Sequence, residues 1–326
     1  MSNLVTVKDV IERVNTKEDR FNTDRLYYVG GEHFQSGALT VDNRGIIKGS
    51  TIGPMFYYGF KANDFLLVSR NPHLRKAGLV SFDGICSEKT FVLRTKDESI
   101  LIQKFLPFIF QNDRFWEYAI ANKHGSTNFF INWSTLSDYS FELPSLEQQK
   151  KIAELLWAFD DTKKAYKDLI RKTDELVKSQ FIEMFGDPIR NDRGWDYKKL
   201  PEIAEIILGS TPNTKKPRYW NGTLKWITPA ELSDTSFYVY DTEKHITEAG
   251  VKGAGLKLCP AETVLFSTRA PIGKTAIAGV DMYCNQGFKN FRCGQQIRPV
   301  YLYYLLTLKR SYFESLGSGT TFKELS

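Results

Sequence analysis

The residues best suited to chemistry in this chain are cations grouped on turn-rich segments. Between Gly209 and Trp220 the sequence GSTPNTKKPRYW sets Lys215, Lys216 and Arg218 beside Tyr219 and Trp220. Gly, Pro, Asn and Thr at that density mark an exposed loop. Ammonium and guanidinium groups on such a loop are what the phosphates of a nucleic acid attract. The competing reading is a solubilising loop with Trp220 tucked into the core. Arg70 and Arg269 each stand in an Arg-x-Pro turn at the end of an apolar strand. Either they anchor that turn or pair with a carboxylate, which is favoured slightly, or they reach a nucleic acid. The basic residues that follow, Arg75 and Lys76 in one case and Lys274 in the other, are expected to be freer to reach phosphate. Lys289, Asn290 and Arg292 alternate with Phe288 and Phe291, the pattern of a half-buried strand with a basic polar face, and Lys89 and Arg94 occupy the corresponding earlier stretch. Lys123 completes the set, next to the turn His124–Asn128 with the donors Ser126 and Thr127.

Covalent chemistry is not indicated. Gly273-Lys274-Thr275 suggests a phosphate loop, but the first glycine of that motif should stand where the chain has Thr268. Gly253-Ala254-Gly255 lacks the third glycine of a dinucleotide fingerprint, and neither a G-x-S-x-G elbow nor H-E-x-x-H occurs. The acidic or Asn-Pro-Pro-Tyr type of motif expected of an adenine methyltransferase is absent, as is a paired-carboxylate-plus-lysine nuclease site. Cys86, Cys259, Cys284 and Cys293 form no C-x-x-C pair, and four scattered histidines have no metal-ligand spacing. Buried free thiols and no metal are expected.

These side chains must be positioned by something. A length of 326 residues, 42% hydrophobic and 25% charged, suits two soluble domains with real cores. No apolar stretch is long enough to cross a membrane, and the start has no secretory pattern, so a cytoplasmic protein is expected. The formal charge of +6 is unevenly spread: residues 1–144 carry 17 basic and 16 acidic side chains, 145–186 carry 8 and 8, and 187–326 carry 19 and 14.

An internal repeat underlies that division. Residues 1–144 and 194–326 pass through the same features in the same order. Each opens with an expected short amphipathic helix, Val7–Val14 or Leu200–Ile207. An apolar run ending in Glu32 or Glu231 follows, then the strand and Arg-x-Pro turn. Asp83, Cys86 and Arg94 next match Asp281, Cys284 and Arg292. An aromatic helix and a Gly/Ser/Thr turn close each copy. Between the copies, residues 145–186 carry the one long helical pattern, with an apolar seam of Ile152, Leu155, Phe159, Tyr166, Leu169 and Leu176, and a second row of Leu156, Ile170, Val177 and Met184. At 1.5 Å per residue the run from Leu146 to Phe185 reaches about 60 Å. It is expected to act as a strut whose seam needs a partner helix. Packing on its own domains is the alternative. In the second copy Phe322 matches Phe129 and Ser326 ends the chain, so roughly fifty residues that would bring a second strut are expected to be missing.

The order FELPSLEQQKKIAELL, a long helix ending FIEMFGDP, and a second domain opening GSTPNTKKPRYWNGTLKWITPAEL resembles the DNA-specificity (S, HsdS-type) subunit of type I restriction-modification systems, over essentially the whole chain. The resemblance implies an α+β fold: a first target recognition domain in 1–144, a spacer helix in 145–186 and a second target recognition domain in 187–326. It implies no catalysis by this chain, with S-adenosylmethionine, ATP and Mg on partner subunits. The implied partners are double-stranded DNA with a bipartite site, methyltransferase (M) subunits and, through them, restriction (R) subunits. The missing second helix leaves self-pairing through the spacer open, and with it a non-assembling recombination-donor fragment as the alternative function.

Overall fold

The segment Val7–Val14 has the apolar spacing of a short helix, and only its first turn is one. Thr6 caps that turn through a reciprocal box with Asp9, whose carboxylate accepts the Thr6 amide at 2.8 Å. From Ile11 the β-branched chain extends and pairs as a strand, so the expected eight-residue helix is corrected to a turn plus a strand. Leu200–Ile207 repeats the correction: a turn at Leu200–Ile203, then a strand from Ala204.

The computed structural model describes residues 3–269, 271–318 and 324–325. They form two units, residues 1–166 and 167–326. The first contains β1 (Asn3–Thr6), α1 (Val7–Val10), β2 (Ile11–Val14), β3 (Tyr27–Val29), β4 (Gly45–Ile46), β5 (Phe56–Phe60), β6 (Phe65–Val68), β7 (Ala77–Leu79), β8 (Gly84–Ser87) and β9 (Thr90–Thr95). It continues with α2 (Leu106–Phe110), α3 (Asp113–Ala121), α4 (Trp133–Ser137) and β10 (Ser140–Leu143). Two four-stranded sheets, ordered β2-β9-β6-β7 and β4-β3-β8-β5, build the unit, and β1 pairs antiparallel with β10. One core lies between the first sheet and the helices, around Phe65, Leu93, Phe110, Phe115 and Trp116. A second lies around Phe60, Leu66 and Cys86.

Then comes α5 (Leu146–Phe185), a single helix of 40 residues. Ser145 and Gln148 make the capping box that starts it, and Gly186, at a φ of 83°, ends it by donating its amide to Ile182. Within the first unit the helix is held by a row that is not the predicted seam. Gln149 is fully buried, accepts from the Ile102 amide at 3.1 Å and donates to the carbonyls of Ile100 and Pro144 at 2.8 and 2.9 Å. Ala153 and Trp157 continue that face, and Lys164 ends it with bonds to Thr40 and Asp160. The seam lies elsewhere on the helix: Leu155, Phe159, Tyr166, Leu169 and Leu176 are each 58–64% exposed, and Ile152 is 38% exposed. In the second unit Phe181 packs on Tyr301 and Tyr304.

The second unit contains α6 (Leu200–Ile203), β11 (Ala204–Leu208), β12 (Trp220–Ile227), β13 (Tyr238–Val239), β14 (Lys244–Ile246), α7 (Glu248–Ala254), β15 (Val264–Phe266), β16 (Thr275–Ala278), β17 (Tyr283–Cys284), β18 (Lys289–Cys293), α8 (Pro299–Leu308) and α9 (Arg310–Leu316). Its sheets run β11-β18-β15-β16-β13 and β14-β12-β17. The repeat is therefore topological. β2, β9, β6 and β7 correspond to β11, β18, β15 and β16, and the parallel pair β3 and β8 corresponds to β12 and β17. Registers agree to the residue: Glu12 faces Arg94 as Glu205 faces Arg292. Asp83 accepts the Ala62 amide at 2.8 Å as Asp281 accepts that of Ala261 at 2.9 Å. The match of Phe322 to Phe129 lies outside the described residues. Among the described residues no helix is long and apolar enough to cross a membrane.

Gln149 satisfies three buried backbone groups at once, so Gln149→Ala should lower the stability of the first unit by about 2–4 kcal/mol. Urea unfolding of the full chain, followed by amide exchange at Ile102, reads this. A shift below about 0.5 kcal/mol, the range of an ordinary surface substitution, would show that Gln149 does not hold the helix.

Candidate nucleic-acid interface

In each unit one turn crosses from one sheet to the other: residues 88–89 between β8 and β9, and residues 285–288 between β17 and β18. The residue after the neighbouring strand grips that turn. Ser69 donates both its amide, at 2.7 Å, and its hydroxyl, at 2.8 Å, to the Lys89 carbonyl. Thr268 does the same to the Gly287 carbonyl, at 2.8 and 3.2 Å. Both donors are buried, so the crossing turn is fixed by bonds that water does not compete for.

The charged groups around this turn in the first unit are mostly cationic. A cleft of about 350 Å³ is lined by Arg13, Arg70, Glu88, Lys89, Asn128 and Asn132 among others. Lys89 pairs with Glu88 at 2.6 Å, and Tyr57 donates its hydroxyl to the same carboxylate at 3.3 Å. The Lys89 ammonium, helped by Tyr57 and by the charge of Arg70, holds the Glu88 carboxyl below the usual carboxylate range. Arg13 lies over the Phe91 ring at 4.9 Å and donates to Tyr58 at 3.4 Å, while Lys17 stands 6.0 Å from the Tyr57 ring. Three cations, Arg13, Arg70 and Lys89, sharing one cleft with the Glu88 carboxylate and with Phe91, and Lys17 beside the Tyr57 ring, make a surface suited to a polyanion.

The second unit carries different side chains at the same places. Gln286 replaces Glu88 and accepts the Thr211 hydroxyl, while Gly287 replaces Lys89. Arginine is kept at 70 and 269 with a changed partner: Arg269 pairs with Glu324 at 3.1 Å, whereas the first unit has Phe130 at that point of the ladder. The loop 209–219 runs beside this turn. Ser210 donates its amide to the Cys284 carbonyl at 2.9 Å, and a Cβ at Gly209 would overlap the Asn285 carbonyl oxygen, which explains why glycine opens the GSTP sequence.

The residues predicted from the sequence divide by placement. Lys215 projects from the loop tip, exposed and without an ion-pair partner among the described residues. Lys216 and Arg218 flank Tyr219, at 5.3 and 5.4 Å from its ring, and Arg218 with Lys216 lowers the Tyr219 phenol from its ordinary range. Tyr219 itself is 7% exposed and packs against Gly250 and Gly253, so it is the loop's anchor. Trp220 is only half-buried, edge-on to Trp226 at 5.1 Å. Lys89 lies in the cleft of the first unit. Lys123 covers the Phe129 ring at 4.2 Å, and Ser126 and Thr127 are exposed on the turn that carries Asn128 to the cleft.

The expected freedom of the lysines after Arg-x-Pro is corrected. Lys76 donates its ammonium to the Gly31 carbonyl at 2.6 Å, and Lys274 donates to the Leu232 carbonyl. In both units this lysine ties the start of β7 or β16 to the short helical turn that follows β3 or β12. Arg75, at a φ of 48°, is likewise bound, to Asp113 at 2.5 Å. Lys289 donates to the Leu325 carbonyl at 3.2 Å, and Arg292 lies 3.5 Å from Glu205 across the strand pair. Arg94, its counterpart, instead makes two bonds to the buried Asp64, at 2.5 and 2.9 Å. Of the cysteines, Cys86, Cys259 and Cys284 are buried, and burial pushes the Cys86 and Cys284 thiols up. Among the described residues no His, Cys, Asp or Glu group could hold a metal ion.

Arg13, Lys17 and Arg20 were not singled out from the sequence. Arg20 stacks on Phe21 at 4.3 Å, and Phe21, on the loop joining β2 to β3, is 83% exposed. That loop is the counterpart of 209–219, so the repeat itself was the signal that could have found it.

A family model described as the type I restriction modification DNA specificity domain matches residues 2–172 and 192–326. The type I restriction enzyme MjaIX specificity subunit of Methanocaldococcus jannaschii is 41% identical over 136 residues, 41% of this chain and 32% of that protein. The HindI specificity subunit of Haemophilus influenzae is 24% identical over 133 residues, 40% of this chain and 28% of the relative. These matches thus span about a third of each relative's length. In fold, the S subunit of a type I restriction-modification system from M. genitalium superposes with a TM-score of 0.58 at 15% identity, over 97% of this chain and 79% of its own. A chain from a structure of assembly and conformational transition in the type I R-M system gives 0.50 at 19% identity, over 100% and 83%.

If Lys76 and Lys274 are structural ties, Lys76→Met and Lys274→Met should each cost about 1–2 kcal/mol of stability in their own unit. Lys215→Met should cost nothing measurable. Urea midpoints of the three variants check this, and equal midpoints would return both lysines to the surface set.

Proposed function

The chain belongs to the type I restriction-modification DNA specificity family, and from that premise we propose that it is the non-catalytic subunit that addresses such a complex to its DNA. Each unit reads one half of a bipartite double-stranded site in the cytoplasm, and methyltransferase subunits dock on the chain, with restriction subunits joining through them. S-adenosylmethionine, ATP and Mg then act on those partners.

The observation that carries this reading is one scaffold built twice with different polar groups at matching surface points. Glu88 and Lys89 in the first unit answer to Gln286 and Gly287 in the second, while the shared arginine, Arg70 or Arg269, meets Phe130 in one unit and Glu324 in the other. A reader of two unlike half-sites needs that combination: backbone geometry held constant and groove-facing chemistry changed. The exposed seam of α5 supports docking, because a row of six apolar side chains in water gains from being covered by another helix.

Co-purification of the full chain with its methyltransferase subunit, mass determination and selection from randomised duplexes test the proposal. A stable complex that enriches a split, asymmetric motif is expected. A palindromic split motif would mean that two copies pair through α5, and a folded chain with neither complex nor motif would overturn the reading. Lys17→Ala and Arg70→Ala should each weaken binding across all sequences and reduce the slope of log K against log salt by about 1.

A further inference from the structure

The crossing turn is a place where the two units share backbone bonds and differ in a side chain with base-reading chemistry. Glu88 and Gln286 each stand one residue before the clamped carbonyl, at the same point of the same turn. Glu88 is an unexpected residue for this surface. A carboxylate in one cleft with Arg13, Arg70 and Lys89 weakens the attraction for phosphate that those cations supply, so its presence calls for a task that a cation cannot perform.

Its hydrogen bonds narrow that task. One Glu88 oxygen takes Lys89 and the other takes Tyr57, which fixes the carboxylate and leaves each oxygen a further acceptor position. An ionised carboxylate only accepts. In the major groove cytosine offers an amino donor, whereas adenine sets an N7 acceptor beside its amino group and repels a carboxylate there. Gln286 is exposed, and Thr211 donates to its carbonyl oxygen. That bond orients the amide and leaves one acceptor position and two N–H donors, the pattern that pairs with adenine N6 and N7.

Resting on the proposal that both units read DNA, we infer that Glu88 and Gln286 are specificity-determining side chains at equivalent positions, Glu88 taking the amino group of a cytosine and Gln286 the paired edge of an adenine. One scaffold position thereby gives the two half-sites different letters.

The test uses the full chain with the methyltransferase subunits that co-purify with it, in selections from randomised duplexes. Glu88→Gln should move the preference at one position of one half-site from cytosine to adenine, by about ten- to a hundredfold, and leave the other half unchanged. Gln286→Glu, a change at an exposed residue with little risk to folding, should make the reverse switch in the other half-site. A wild-type motif that both variants retain, even with weaker overall binding, would sink the inference and leave the DNA-reading function standing. If the wild type enriches no motif, the premise and the inference fall together.

Discussion

One carbonyl oxygen in each unit, that of Lys89 or Gly287, receives an amide and a hydroxyl from a single buried residue, Ser69 or Thr268. The placement of the candidate surface depends on that clamp. Two sheets meet in each unit and one short turn passes between them; a loose turn would let the sheets slide and the polar groups scatter. Two bonds to one acceptor, out of reach of water, remove that freedom. Around the first clamp the cleft of Arg13, Arg70 and Lys89 assembles from a strand, the end of another strand and the turn itself. Around the second, the glycine-led loop comes to lie against β17 because Gly209 has no side chain to hold it off.

The same economy governs α5. Its N-terminal turns are attached to the first unit by Gln149, Ala153 and Trp157, a narrow row in which a buried amide does most of the tying. The attachment leaves the wider apolar seam uncovered. A helix that spent its seam on its own domain would have nothing to offer another helix, and one without Gln149 would be poorly held to its domain. The polar row and the apolar row therefore divide two tasks that one stripe could not perform together.

Much of this was legible in the residues. The long helix followed from spacing and from the absence of Pro and Gly between Leu146 and Phe185, whereas the box of Ser145 and Gln148 that starts it emerges only in the structure. The repeat was legible too, since Asp83 with Asp281, and Arg94 with Arg292, occupy equivalent positions in the registers. Other features depended on contacts that no local pattern encodes. Val7–Val14 looked helical because β-branched residues at that spacing suit a helix face as well as an edge strand; pairing with β9 decided it. Lys76 and Lys274 looked available because their carbonyl partners lie more than forty residues away in sequence. Arg13 and Lys17 looked ordinary because the rings they approach, Phe91 and Tyr57, belong to other strands. Gln149 stood in plain view as one of a glutamine pair, yet its burial comes from Ile100 and Ile102, which reach it only once the domain has folded.

The clamp accepts on a main-chain oxygen, and a main-chain oxygen is present whatever residue bears it. Lys and Gly occupy that position in the two units without altering the bonds. The turn can therefore exchange side chains at small cost to the fold, while the residues that hold it, Ser69 and Thr268, are both hydroxyl-bearing and buried. On the proposed reading, fold and address are encoded in different residues, so a change of target at this turn leaves the bonds that hold the two sheets together in place.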